Sequence, residues 1–116
     1  MIKVSEVAEE VRRLAKASPY FQYEAPGDSC KYLEEKDGER VGSCIVGQAL
    51  VNLGLDKDTI SKYEYESAYA VLQETCEVDS MTLLEWVDFV QDEQDAGRPW
   101  ENCVFLADIK RSEDEY

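Results

Sequence analysis

Apolar residues recur at helical spacing from the start of the chain. Val4, Val7, Ala8, Val11, Leu14 and Ala15 fall on one stripe, and Glu6, Glu9, Glu10, Arg13 and Lys16 on the other, which predicts an amphipathic helix over about residues 4–17. Ser5 is placed to cap its start and Pro19 to stop it. The pattern then changes. Tyr20-Phe21-Gln22-Tyr23 has an extended character, and Pro26-Gly27-Asp28 reads as a turn. Short strand-like runs, Cys30–Glu35 and Arg40–Gly42, flank Lys36-Asp37-Gly38-Glu39. Asp-Gly between such runs predicts a β-hairpin over 30–42.

Ser43 is placed to cap the next segment, 44–53, which carries no charged residue and is apolar nearly all round before Gly54 ends it. A helix of that kind belongs in the core. Gly47 inside it lowers helix propensity by about 1 kcal/mol relative to Ala, so close approach of a neighbouring element is the expected compensation. Residues 56–62 suggest a short helical turn, and Tyr65–Cys76 another helix, with Ala68, Tyr69, Leu72 and Cys76 on one side. Ser80 can cap a longer helix through Ala96, with Gly97 as its stop. Pro99 can open a last helix in which Trp100, Cys103, Val104 and Ala107 face inward. The expected fold is α+β, mainly α: about five helices around the buried 44–53 helix, plus one small hairpin. No linker divides the chain, so residues 1–111 are read as one domain and 112–116 as a frayed acidic tail.

Charge changes the picture more than size does. The 116 residues include 26 acidic and 12 basic ones, a formal net charge of −14. Such a surface repels nucleic-acid phosphates and anionic membranes and favours a cationic partner. No basic patch offsets it, because Arg12/Arg13 and Lys110/Arg111 are the only adjacent basic pairs. Direct nucleic-acid binding is therefore not expected. Neither a secretory signal nor a run of roughly 20 apolar residues is evident, so the expected compartment is the cytoplasm.

The acidity is concentrated. Ten acids and no Lys or Arg lie between Tyr63 and Gly97, among them Glu64, Glu66, Glu74 and Glu77. On the predicted 81–96 helix, the 3.6-residue period puts Glu85, Asp88, Asp92 and Asp95 on one face, opposite Leu83, Leu84, Val87 and Val90, with Trp86 at the margin. Each like-charged pair three or four residues apart lowers helix stability by a few tenths of a kcal/mol. An uncompensated row of this kind suits a cation-binding or phosphate-mimicking face, and it equally suits a solubilising one. Tyr63, Tyr65, Tyr69 and Trp86 flank the row, where aromatics serve either an interface or the core; for Tyr69 and Trp86 the core is the expected place.

The chain has no histidine, which removes His-based acid–base catalysis, Ser/His and Cys/His nucleophilic pairs and His-bearing metal sites. There is no phosphate-binding Gly-rich loop, and Asp56-Lys57-Asp58-Thr59 lacks the later Gly and Glu of a calcium loop. Cys30, Cys44, Cys76 and Cys103 are spaced by 14, 32 and 27 residues, which fits no common zinc pattern. Buried thiols, a Cys30–Cys44 disulfide across the hairpin base, and a four-cysteine metal site all remain open. Cys44, just inside a helix start, is also positioned for a lowered thiol pKa, but no base is near it in sequence. An enzyme, a metal or another cofactor is not expected.

Certain runs resemble those of small accessory proteins of actinobacterial bacteriophages. They are Cys30-x-Tyr32, Gly42 through Leu50, Leu53-Gly54-Leu55, and the later Gln91-x-x-Gln94-Asp95-x-Gly97-x-Pro99-Trp100, together about a third of the chain. The resemblance implies a cytoplasmic protein made in an infected bacterium that binds and inhibits or redirects a host protein. With the acidity, that partner is expected to present a basic surface, so that the chain acts as a DNA mimic. The alternative is an interaction module that uses apolar residues, with acidity for solubility alone.

Overall fold

A computed structural model describes residues 1–25 and 30–114. The described residues form six helices and one two-stranded antiparallel sheet: α1 (Val4–Ala17), β1 (Leu33–Lys36), β2 (Glu39–Gly42), α2 (Ile45–Asn52), α3 (Lys57–Ser61), α4 (Ala68–Thr75), α5 (Met81–Asp95) and α6 (Trp100–Asp114). The fold is α+β and mainly α, as the periodicity predicts. The expected turn at 26–28 lies outside the described residues. Helix α6 continues through Asp114, so Ser112 and Glu113 are helical rather than part of a separate tail.

The hairpin forms where Asp-Gly predicts it. Leu33 pairs with Gly42 and Lys36 with Glu39, leaving a two-residue turn in which Asp37 and Gly38 have φ of 55° and 79°. Two successive positive φ values match the right-handed twist of the strands they join. Strand β2 then leads directly onto α2.

Helix α2 lies in the core: Ile45, Val46, Gly47, Ala49 and Leu50 are buried. The chain nevertheless organises itself round α5, which packs against α1, α2, α4 and α6. Length explains this. Eight residues of α2 rise about 12 Å, whereas the fifteen of α5 rise about 22 Å and can carry neighbours along several flanks. Leu84, Trp86, Val87 and Val90 of α5 join one continuous core with Val4, Val7 and Val11 of α1 and Ala107 of α6.

Two caps differ from expectation. Ser5 does not cap α1; its hydroxyl and its N–H both bond Asp79, and Glu6 accepts the Lys3 N–H instead (3.0 Å). A backbone bridge between Lys3 and Glu77 holds the α1 start against the α4–α5 loop and brings Asp79 within reach. Likewise Ser43 is diverted to the Tyr23 hydroxyl (2.6 Å), and the N-cap of α2 is Cys44, whose sulfur accepts the Gly47 N–H at 3.4 Å. Asp56, Ser67 and Ser80 cap α3, α4 and α5 through their side chains. The segment after Pro19 closes the start of α6: the carbonyls of Pro19 and Phe21 accept the N–H groups of Glu101 and Trp100, and the Phe21 ring sits edge-on to Trp100 at 4.7 Å.

Candidate acidic docking face

Helix α5 turns its apolar stripe and two glutamines inward, so its carboxylates face out. Glu85, Asp92 and Asp95 are exposed and Asp88 is half-buried. The row predicted from periodicity exists. Its members nevertheless play different parts, because some are engaged by residues far away in sequence.

Asp88 accepts the backbone N–H of Tyr69 at 3.0 Å, which adds a second anchor to the start of α4 beside the Ser67 cap. Glu64, half-buried, accepts the N–H groups of Tyr32 (2.5 Å) and Leu33 (3.3 Å) and so fastens the loop before α4 to the entry of β1. Both acids therefore hold the fold as well as contributing charge. Glu66 is exposed, and its carbonyl accepts the Tyr32 hydroxyl at 2.6 Å. Glu74, near the end of α4, and Glu77, just beyond it, are exposed too, with most of the roughly 12 Å length of α4 between them and Glu66. Glu93 belongs to a separate pair with Arg98 (2.5 Å). The acids of the 63–97 stretch thus differ in what they do.

Those on α5 form a row with a groove on each side. One groove, of about 300 Å³, has Glu64 and Glu66 on one wall and Asp92 and Asp95 on the other, with Cys30, Tyr32 and Gln91 between them. No lysine or arginine lines it, although the Lys31 ammonium sits 5.6 Å from the ring centre of Tyr65 at its edge. The other groove, of about 290 Å³, runs between α5 and α6. Glu85, Asp88 and Asp92 stand on one side, Lys110 and Arg111 on the other, and Trp86 and Phe89 in the floor. The basic pair near the C-terminus is far from α5 in sequence, and the fold brings it opposite the acidic row. Compensation absent from the helix itself is thus supplied across this one groove.

Asp92 borders both grooves. Partial burial, then the neighbouring Asp88, Asp95 and Glu93, hold its carboxyl above the ordinary carboxylate range. Like charge is crowded here enough to oppose its own ionisation. Among the flanking aromatics, Trp86 is core. Its indole N–H bonds Asp108 (2.9 Å), and the Arg12 guanidinium stacks on its ring while pairing with the same carboxylate (2.6 Å). The Arg12 hydrogen bond, opposed by burial and aided by Trp86, draws Asp108 below its usual pKa. Tyr69 and Tyr63 are half-buried, whereas Tyr65 is 87% exposed.

Sequence reasoning missed Gln91 and Gln94, the polar residues buried in this region. Gln94 is fully buried; its Oε1 accepts the Ile45 N–H (2.7 Å) and the Trp100 indole N–H (3.3 Å). Gln91 Oε1 accepts the Val46 N–H (3.4 Å). The two amides satisfy first-turn donors of α2 that would otherwise be orphaned inside the core. The signal available was their i, i+3 spacing on the same stripe as Leu84 and Val87.

All four cysteines are free thiols; Cys44, Cys76 and Cys103 are buried and Cys30 is half-buried. Among the described residues no three or more Cys, Asp or Glu side chains converge in a way that could hold a metal ion, and no helix is long and apolar enough to cross a membrane. Comparison with protein-family models, with curated proteins and with solved structures finds no match for this chain.

Proposed function

We propose that this chain is a small binding protein that docks its α5 acidic row onto a basic surface of a bacterial host protein and thereby inhibits or redirects it. The observation that carries the reading is the arrangement of Glu85, Asp88, Asp92 and Asp95 along one outward helical face, with Glu64 and Glu66 across a groove that no basic residue lines. Ten residues of α5 rise about 15 Å. One DNA strand carries a charge about every 3.4 Å of axis, against about every 5 Å along this row, and Lys110 and Arg111 offset part of the row across the α5–α6 groove. A protein surface built to hold DNA would meet charge of the same sign here, least offset on the side that Glu64 and Glu66 share. The resemblance of the Gly42–Leu50 and Gln91–Trp100 runs to bacteriophage accessory proteins supports the bacterial cytoplasm as its setting.

The decisive variant reverses Glu85 and Asp92 to Lys. Asp88 and Glu64 are left alone, because they anchor α4 and β1 and their loss would confuse binding with folding. The double variant should keep its circular dichroism, with a modestly lower melting temperature because the new lysines face Lys110 and Arg111, yet lose at least about tenfold in partner affinity, since charge reversal at a complementary interface exchanges attraction for repulsion. A second reading is favoured by a different observation. Phe105 and Ile109, at 63% and 41% exposure, stand one turn apart on the outer face of α6. If that apolar pair is the contact, Phe105→Ser with Ile109→Ser abolishes binding and the charge reversal leaves it intact.

A further inference from the structure

Cys30 and Cys44 meet where the chain entering the hairpin touches the start of α2. The Ser43 N–H donates to the Tyr32 carbonyl (2.8 Å) and the Cys44 N–H to the Lys31 carbonyl (3.0 Å), which sets Cys44 beside the segment that Cys30 opens. Gln91 closes the arrangement from α5. One end of its amide accepts the Val46 N–H, and the other donates to Cys30 Sγ at 3.3 Å, so this sulfur lies close to the first turn of α2. Gln94 Nε2 approaches the same sulfur at 4.0 Å. Cys44 lies near enough to Cys30 to help push its thiol up, and the two sulfurs are not joined. Their exposure differs: Cys44 is fully buried, whereas Cys30 is half-buried and lines the groove between Glu64, Glu66, Asp92 and Asp95.

We propose that Cys30 and Cys44 form a redox-active dithiol site that low-molecular-weight disulfides oxidise through the acidic groove, with cationic disulfides selected over anionic ones. Cys44, burial and Asp95 push the Cys30 thiol up. The small fraction that loses its proton to solvent therefore attacks one sulfur of the small disulfide, slowly at neutral pH and faster as pH rises. A mixed disulfide forms, and the first small thiolate leaves and takes up a proton. Cys44, likewise deprotonated, then attacks Cys30 Sγ, closes the Cys30–Cys44 bond and releases the second small thiol. Two protein thiols are oxidised to one disulfide while one small disulfide is reduced to two thiols. Access through Cys30 and resolution by Cys44 follow from their exposure. The charge selection follows from the carboxylates that every reagent must pass. The site stands independently of whether the α5 row docks a partner.

The test uses the full, reduced chain with three reagents: cystamine (cationic), 2-hydroxyethyl disulfide (neutral) and oxidised glutathione (anionic). Each rate is divided by that reagent's rate with a free small thiol, and products are mapped by peptide mass spectrometry without reduction. The expected product is a Cys30–Cys44 linked peptide. Cystamine should lead oxidised glutathione by about tenfold at low salt, and the ratio should shrink as salt screens the groove. Cys44→Ser should stop at a mixed disulfide on Cys30. The site is overturned by a mixed disulfide that persists on Cys30 in the unsubstituted chain, by linkage through Cys76 or Cys103, or by reaction only after denaturation. Equal normalised rates for the three reagents would overturn the charge selection. Mapping of the unsubstituted chain decides the pairing even if Cys44→Ser does not fold.

Discussion

Replacing Gly47 by Ala should destabilise the domain by about 3 kcal/mol, the upper end of what overpacking a tight core costs. An added Cβ would lie 1.9 Å from the Tyr32 carbonyl oxygen and 2.6 Å from its carbon. Both are backbone atoms, so no side chain can swing aside. The same substitution in an open helix would stabilise by about 1 kcal/mol through propensity. The sign of the change therefore separates close approach from ordinary helix chemistry, and urea unfolding measures it directly. Tyr32 cannot easily retreat: its N–H is held by Glu64, its hydroxyl by the Glu66 carbonyl and its carbonyl by Ser43. Midpoint loss should come with an unchanged denaturant slope, since the clash strains the native state without altering the surface exposed on unfolding.

The second large effect is expected at Gln94. Replacement by Leu preserves roughly the side-chain volume but removes the acceptor shared by the Ile45 N–H and the Trp100 indole N–H. Each donor left buried without a partner costs about 1–3 kcal/mol, so a total loss of roughly 2–6 kcal/mol is expected. Hydrogen exchange gives a residue-level check. The Ile45 amide, at the start of α2, should lose protection beyond the global change, while amides inside α1 should follow the global change alone. If Gln94→Leu proved neutral, the clamp between α5 and the start of α2 would not be a source of stability.

These two positions also show where sequence was informative and where it was not. Gly47 announced itself, because glycine amid Ile45, Val46, Ala49 and Leu50 has no local reason to be there. The Asp-Gly turn and the Ser80 cap were similarly legible, since each acts within a few residues, whereas Ser5 and Ser43, equally plausible caps, are drawn off by Asp79 and Tyr23. Gln94 was not, because a glutamine on a helix is ordinarily a surface residue and its partners lie 49 residues earlier and 6 later. The same distance problem governs the candidate site. Periodicity placed Glu85, Asp88, Asp92 and Asp95 on one face correctly. It could not show that Asp88 serves Tyr69 or that Glu64 serves Tyr32. Nor could it show that Lys110 and Arg111 would return opposite the row. The importance of α2 was inferred from its apolarity; the greater reach of α5 came from length and packing, which composition does not encode.

The acidic row is the centre of the functional account, and ionic strength tests it most directly. The partner captured from bacterial lysate should be purified, and its affinity for this chain measured between about 50 and 300 mM salt, a range over which exposed charge pairs become strongly screened. If the α5 face makes the contact, affinity should fall by at least about tenfold, and the Glu85→Lys, Asp92→Lys variant should bind weakly with little further dependence on salt. An affinity that stays level across the range, equal for the original chain and the charge-reversed one, would contradict the account and assign the acidity to solubility alone.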